Sequence, residues 1–107
     1  MNNIYNLIKN LIPIQRYIKA RENEEFLILM SDRLEIQYLN EVAKDFYLLI
    51  DGKRNLEEII QKLLDLYEVE KEILEKDICQ LLRELQWKDL IILKEINYEK
   101  GSVTTNG

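Results

Sequence analysis

The sequence predicts an α+β, winged-helix-like domain: a three-stranded antiparallel β-meander packed on a three-helix bundle, with an extra N-terminal helix in front. Three observations predict it. Residues 17–38 hold three short β-favouring runs joined by polar connections of hairpin length. Residues 40–87 carry apolar side chains at helical spacing. The chain has 107 residues and is 47% hydrophobic. A chain of that size buries roughly 65% of its unfolded surface, which supports one core and not two.

The elements follow in order. Ile4, Leu7, Ile8, Leu11 and Ile12 lie at i, i+3, i+4, i+7 and i+8, an amphipathic helical stripe that Pro13 stops, so residues 1–14 read as a separate N-terminal helix. Its stripe docks either on the domain's own core or on a partner. The strands read as Tyr17-Ile18-Lys19-Ala20-Arg21, Phe26-Leu27-Ile28-Leu29-Met30 and Leu34-Glu35-Ile36-Gln37-Tyr38. Their connections, Glu22-Asn23-Glu24-Glu25 and Ser31-Asp32-Arg33, are short and polar, which makes the meander sequential and leaves the third strand at an edge.

Asn40 is placed to cap a helix whose buried stripe is Val42, Phe46, Leu49 and Ile50, and Asp51-Gly52 stops it. Asn55 followed by Glu58 forms a capping-box pattern ahead of Leu56, Ile59, Ile60, Leu63, Leu64 and Tyr67, a stripe repeating over three turns. A further helix spans residues 71–87, with Leu74, Ile78, Leu81 and Leu85 as its core stripe. Leu82 sits to one side, and Glu75, Gln86 and Cys79 share its flank, which gives the helix a semi-polar shoulder. Leu90-Ile91-Ile92-Leu93 reads as a closing strand, and residues 97–107 as a disordered polar tail behind a domain of residues 15–96.

Composition narrows function. There is no His, one Cys and only Ser31 and Ser102 among serines, so histidine-assisted nucleophiles and Cys/His zinc cages cannot be assembled. The acidic pairs Glu24-Glu25, Glu57-Glu58 and Glu70/Glu72 stand in turns or first helical turns, where carboxylates are favoured without any chemistry. Cys79, on the shoulder of that helix and with no His in the chain to draw off its proton, reads as a semi-buried small residue and not as a reactive thiol. We therefore expect no catalytic residues, no metal and no cofactor. One cysteine, no cleavable leader and apolar runs of at most about five residues point to the cytoplasm and to no transmembrane segment.

A charge of −5 argues against nucleic acid. Lys53-Arg54 is a small basic connection, and the count of three strands and three helices matches a winged helix, so a small DNA-binding regulator is the alternative reading. The helix that would enter the major groove reads Lys71-Glu72-Ile73-Leu74-Glu75-Lys76-Asp77, whose acids would meet phosphates.

The stretch Leu39-Asn40-Glu41-Val42-Ala43, then Asp51-Gly52-Lys53-Arg54-Asn55-Leu56-Glu57-Glu58-Ile59, Tyr67-Glu68-Val69, Asp77-Ile78 with Leu81-Leu82 and Leu85, and finally Leu90-Ile91, resembles the pyrroloquinoline quinone biosynthesis protein D family. The resemblance covers residues 15–93, with Asp89 where the family usually has Gly. It implies a winged-helix-like recognition element that binds the leader of a ribosomally made precursor peptide and presents it to a tailoring enzyme or leader peptidase. In that family the leader adds as a strand to the third strand and lies against the third helix. Carried onto this chain, that implies Leu34, Glu35, Ile36, Gln37 and Tyr38 on the edge strand, with Glu75, Cys79, Leu82, Arg83 and Gln86 on the helix. An edge strand and a semi-polar helix shoulder are what the residues suggest by themselves.

Overall fold

A computed structural model describes residues 3–95. The elements are α1 (Asn3–Ile8), β1 (Ile12–Gln15), β2 (Lys19–Glu22), β3 (Phe26–Met30), β4 (Ile36–Asn40), α2 (Glu41–Leu48), α3 (Leu56–Leu66), α4 (Lys71–Trp87) and β5 (Ile91–Lys94). The tail expected at 97–107 lies outside the described residues. Among the described residues the fold is mixed α+β, with a three-stranded antiparallel sheet in the order β2-β3-β4 and four helices, the first of them the additional N-terminal one.

The N-terminal stripe does not run as one helix. α1 ends at Ile8, and Ile12–Gln15 is instead a strand that pairs antiparallel with β5, Pro13 opposite Leu93. The carbonyls of Lys9 and Leu11 accept the backbone N–H groups of Glu57 and Leu56. The first N–H groups of a helix have no partner within it, so the turn after α1 satisfies α3, and a continued α1 would have withdrawn those carbonyls. Proline is tolerated in β1 because a two-stranded sheet is all edge.

α1 docks on the domain's own core: Tyr5 is 3% exposed and packs with the buried cluster. Burial, with the carboxylates of Glu75 and Glu57 nearby, pushes its phenol well above the ordinary range. Tyr5→Ala is expected to cost about 3 kcal/mol of stability, the scale for emptying a buried aromatic site. A urea titration measures it, and an unchanged midpoint would mean that α1 does not dock.

β3 carries the meander's contribution to the core. Leu27 and Leu29 are buried against the helices, whereas Phe26, Ile28 and Met30 point to the other face, as period-two alternation requires. Lys44 reaches from α2 to the carbonyl of Asn23 and lies 3.5 Å from Glu22, holding the β2–β3 turn to that helix. The small sheet is tied in by Tyr47, whose hydroxyl donates to the Leu90 carbonyl at 2.7 Å, and by Gln15, whose Nε2 donates to the Tyr47 carbonyl at 2.9 Å.

The capping box at Asn55 and Glu58 forms as the spacing predicts, with both reciprocal bonds at 2.8 Å. Gly52 differs from expectation. α2 ends at Leu48, and Gly52, at φ 78°, belongs to the following connection, where Asp51 Oδ1 accepts from Lys53 and Arg54. Asp89 also has a left-handed backbone, φ 59°. That conformation explains why glycine suits the position, and Asp is among the side chains that tolerate it best. Among the described residues no helix is long and apolar enough to cross a membrane.

Candidate functional site

The third strand of the meander begins later than its β-favouring run. Leu34 is left-handed at φ 65°, and its N–H donates to the Ser31 carbonyl, while Ser31 Oγ accepts from Arg33 and Glu35. Leu34 and Glu35 therefore belong to the turn, and the strand proper is Ile36–Asn40. Short polar side chains draw the backbone into local turns, a competition that β propensity does not register.

Among the described residues β4 has a sheet partner on one side only. The register with β3 places Ile36 opposite Met30 and Gln37 opposite Leu29. Continued by one step it pairs Glu35 with Ser31, and there the Ser31 N–H donates to the Glu35 carbonyl at 2.9 Å. Bonded and non-bonded pairs alternate in an antiparallel ladder, so Gln37 and Leu39 spend their backbone groups on β3. The N–H and C=O groups of Ile36 and Tyr38, and the N–H of Asn40, consequently point away from the sheet, along the free edge, while the Asn40 carbonyl starts α2. The sequence left these two parities undecided.

One of those outward carbonyls is already engaged. Lys88 Nζ donates to the Ile36 carbonyl at 2.8 Å, Arg33 Nη2 donates to the Trp87 carbonyl at 2.7 Å, and Arg33 Nε lies 2.9 Å from Asp89 Oδ2. These contacts fasten the start of β4 to the end of α4. At the other end, strand and helix diverge around a cavity of about 390 Å³ bounded by Asn40, Val42, Tyr67, Val69, Ile78 and Leu81. Asp77, Glu41 and Glu68 line its rim. Tyr67 donates to Asp45 Oδ2 at 2.5 Å, and that bond, aided by burial, pushes its phenol up to about 12. The cleft is apolar within and acidic at its mouth.

The residues expected on α4 fall elsewhere. Leu82 is 2% exposed and belongs to the core with Leu74, Ile78 and Leu85, whereas Leu81, assigned to the core by spacing, is only partly buried and walls the cleft. Leu82 is thus corrected from a groove residue to a core residue. The reason is α1: Tyr5 covers that flank beside Glu75 and Cys79, so the buried stripe is rotated towards Leu82. Cys79 and Arg83 line a separate depression with Ile4 and Ile73, on the α1 side of the helix. Gln86 is exposed, in neither of the two cavities. The expected strand residues and the expected helix residues are therefore not brought together around one groove.

On the strand, Tyr38 is 55% exposed with its ring 5.3 Å from that of Phe26. Gln37 is partly buried, and its Oε1 is shielded from solvent without a hydrogen-bond partner among the described residues. The residues the sequence reading missed are Val42, Val69, Asp77, Leu81 and Lys88. Val42 and Asp77-Ile78-Leu81 stood within stretches already noted, but their shared cleft depends on the fold bringing α2 and α4 to opposite walls of one cavity. Lys53 is exposed, and Arg54 is occupied structurally, its Nη1 donating to the Leu49 carbonyl at 2.9 Å.

What this arrangement can do chemically is accept a strand. Outward backbone groups offer hydrogen bonds to a main chain, and the neighbouring cleft accepts an apolar side chain from it. A sequence model described as coenzyme PQQ synthesis protein D (PqqD) matches residues 25–91, the span from β3 to the start of β5. No curated protein and no solved structure matches the chain.

Proposed function

We propose, because the chain belongs to the coenzyme PQQ synthesis protein D family, that it is a non-catalytic adaptor which binds the leader of a ribosomally made precursor peptide. The family consists of peptide-binding accessory proteins that partner with modifying enzymes of the radical SAM class. In the reading offered here, the leader adds to β4 as a further strand, hydrogen-bonding to the outward groups of Ile36, Tyr38 and Asn40. An apolar leader side chain enters the cleft beside Leu81, Ile78 and Val42. The adaptor then presents the remainder of the precursor to a tailoring enzyme or a leader peptidase. The recognition domain runs from β1 to β5, with α1 bracing α4 from the far side.

The single observation that carries this reading is the open edge of β4 beside an apolar cleft. Burial of one anchor residue and a few main-chain hydrogen bonds is the usual composition of such peptide sites. Lys88 holds the Ile36 carbonyl in the absence of peptide, so the leader replaces one hydrogen bond there and forms the others anew.

Calorimetric titration with the cognate precursor tests the proposal. Binding is expected at micromolar affinity or tighter, about −8 kcal/mol, with no turnover of the peptide. A precursor that binds equally well after its leader is deleted would defeat it. Lys53→Glu, far from the strand edge on the α2–α3 connection, is expected to leave the affinity within a few tenths of a kcal/mol, about the range of a remote surface change.

A further inference from the structure

The edge of β4 is one feature of the sheet; its outer face is another. Cross-strand neighbours share a face, and the register sets two rows across it: Lys19, Met30 and Ile36, then Arg21, Ile28 and Tyr38. Phe26 continues the apolar surface beside Tyr38. The opposite face, with Leu27, Leu29 and Leu39, is buried against the helices. Ile36 and Tyr38 are 54% and 55% exposed, and a shallow depression of about 220 Å³ lies between Lys19, Arg21, Met30 and Ile36.

The charge on this face is unlike that of the chain. The sequence has 20 acidic residues against 15 basic ones. Yet the strand positions that point outward carry Lys19 and Arg21 and no carboxylate. Both cations are exposed, and neither is in an ion pair among the described residues. An apolar surface with a cationic border on one side is complementary to an apolar surface with an acidic border.

We infer that the outer face of the β2-β3-β4 sheet is a docking surface for a partner protein that presents an apolar stripe flanked by Asp or Glu. The apolar rows supply the contact area, and Lys19 and Arg21 orient the approach and select against basic surfaces. Nucleic acid suits the face less well: the net charge of −5 repels a polyanion, and the Phe26 and Tyr38 rings pack on each other instead of standing apart as platforms for bases. On the strand-addition reading above, a peptide added beyond β4 widens this face without covering it, so leader and partner protein bind side by side.

The full chain can be tested with two synthetic amphipathic helices, each with a Leu stripe, one flanked by Glu and its twin by Lys. The Glu helix is expected to bind about tenfold tighter than the twin at low salt, an advantage that high salt erodes. Lys19→Glu combined with Arg21→Glu is expected to reverse the preference while leaving the thermal melt unchanged, since both side chains project into solvent. Ile36→Ser is expected to weaken the Glu helix about fivefold through lost apolar contact. Amide resonances of β3 and β4 should shift, and those of the α1–α4 depression should not. Equal binding of the two helices, shifts confined to α4, tighter binding of oligothymidine than of the Glu helix, or self-association of the chain through this face would each overturn the inference. None of these readouts involves the leader, so a failure here and a failure of leader binding are separately visible.

Discussion

Ile36→Pro combined with Tyr38→Pro is expected to weaken leader binding about a hundredfold while the domain stays folded. Each proline removes one outward N–H, a backbone hydrogen bond of this kind is worth about 1 kcal/mol net, and two of them with some loss of fit approach 2 to 3 kcal/mol. Neither position donates to β3, since the Ser31–Glu35 bond assigns the inward parity to Gln37 and Leu39. Proline is accepted on an edge strand when its missing N–H faces solvent. Two controls separate backbone from side chain. Tyr38→Ala removes the contact with Phe26 but keeps the N–H, and it is expected to cost far less affinity than the double proline variant. Gln37→Pro removes a ladder bond to Leu29 and is expected to lower the melting temperature. Calorimetry with the precursor and a thermal melt on each variant decide the matter. Full affinity in the double proline variant would show that the leader does not use this edge.

The second large effect is on stability. Leu82→Glu is expected to abolish cooperative folding, whereas Leu81→Glu, one residue away, is expected to fold and to lose leader affinity. Leu82 is 2% exposed among Leu74, Ile78 and Leu85. A carboxylate there has neither solvent nor a cation, and the cost, more than about 4 kcal/mol, approaches the whole stability of a domain of this size. Leu81 is only partly buried and borders the cleft, so its carboxylate reaches water and the penalty is about 1 to 2 kcal/mol. Circular dichroism with urea unfolding reads the first outcome and calorimetry the second. A folded Leu82→Glu beside an unfolded Leu81→Glu would invert the assignment of the two leucines.

That pair shows where sequence reasoning reached its limit. Spacing alone makes Leu81 and Leu82 near equivalents, each within one helical step of a stripe through Leu74, Ile78 and Leu85. Which of the two is buried depends on what covers the helix. α1 does so on the Cys79 side, and its contact is non-local, between residues about seventy positions apart. The same non-locality hid β1: Ile12 ends a helical stripe in the sequence, and Ile12–Gln15 form a strand because the Lys9 and Leu11 carbonyls are taken by α3 and Ile91–Lys94 arrive as a strand partner.

By itself the sequence determined whatever depends on neighbours in the chain. The meander's runs, the Asn55–Glu58 capping box, the span of α4 and the edge position of the third strand follow from side-chain period, capping chemistry and short connections, and all need only a few adjacent residues. The tertiary structure alone decided three things. It showed which parity of β4 faces outward, because a ladder's phase is set by a bond to another strand. It showed that α4 meets the cleft through Asp77, Ile78 and Leu81, because a helix face is functional only relative to what packs beside it. It also gathered Lys19 and Arg21 into rows with Met30, Ile28, Ile36 and Tyr38, because strand register brings together side chains from three separate runs.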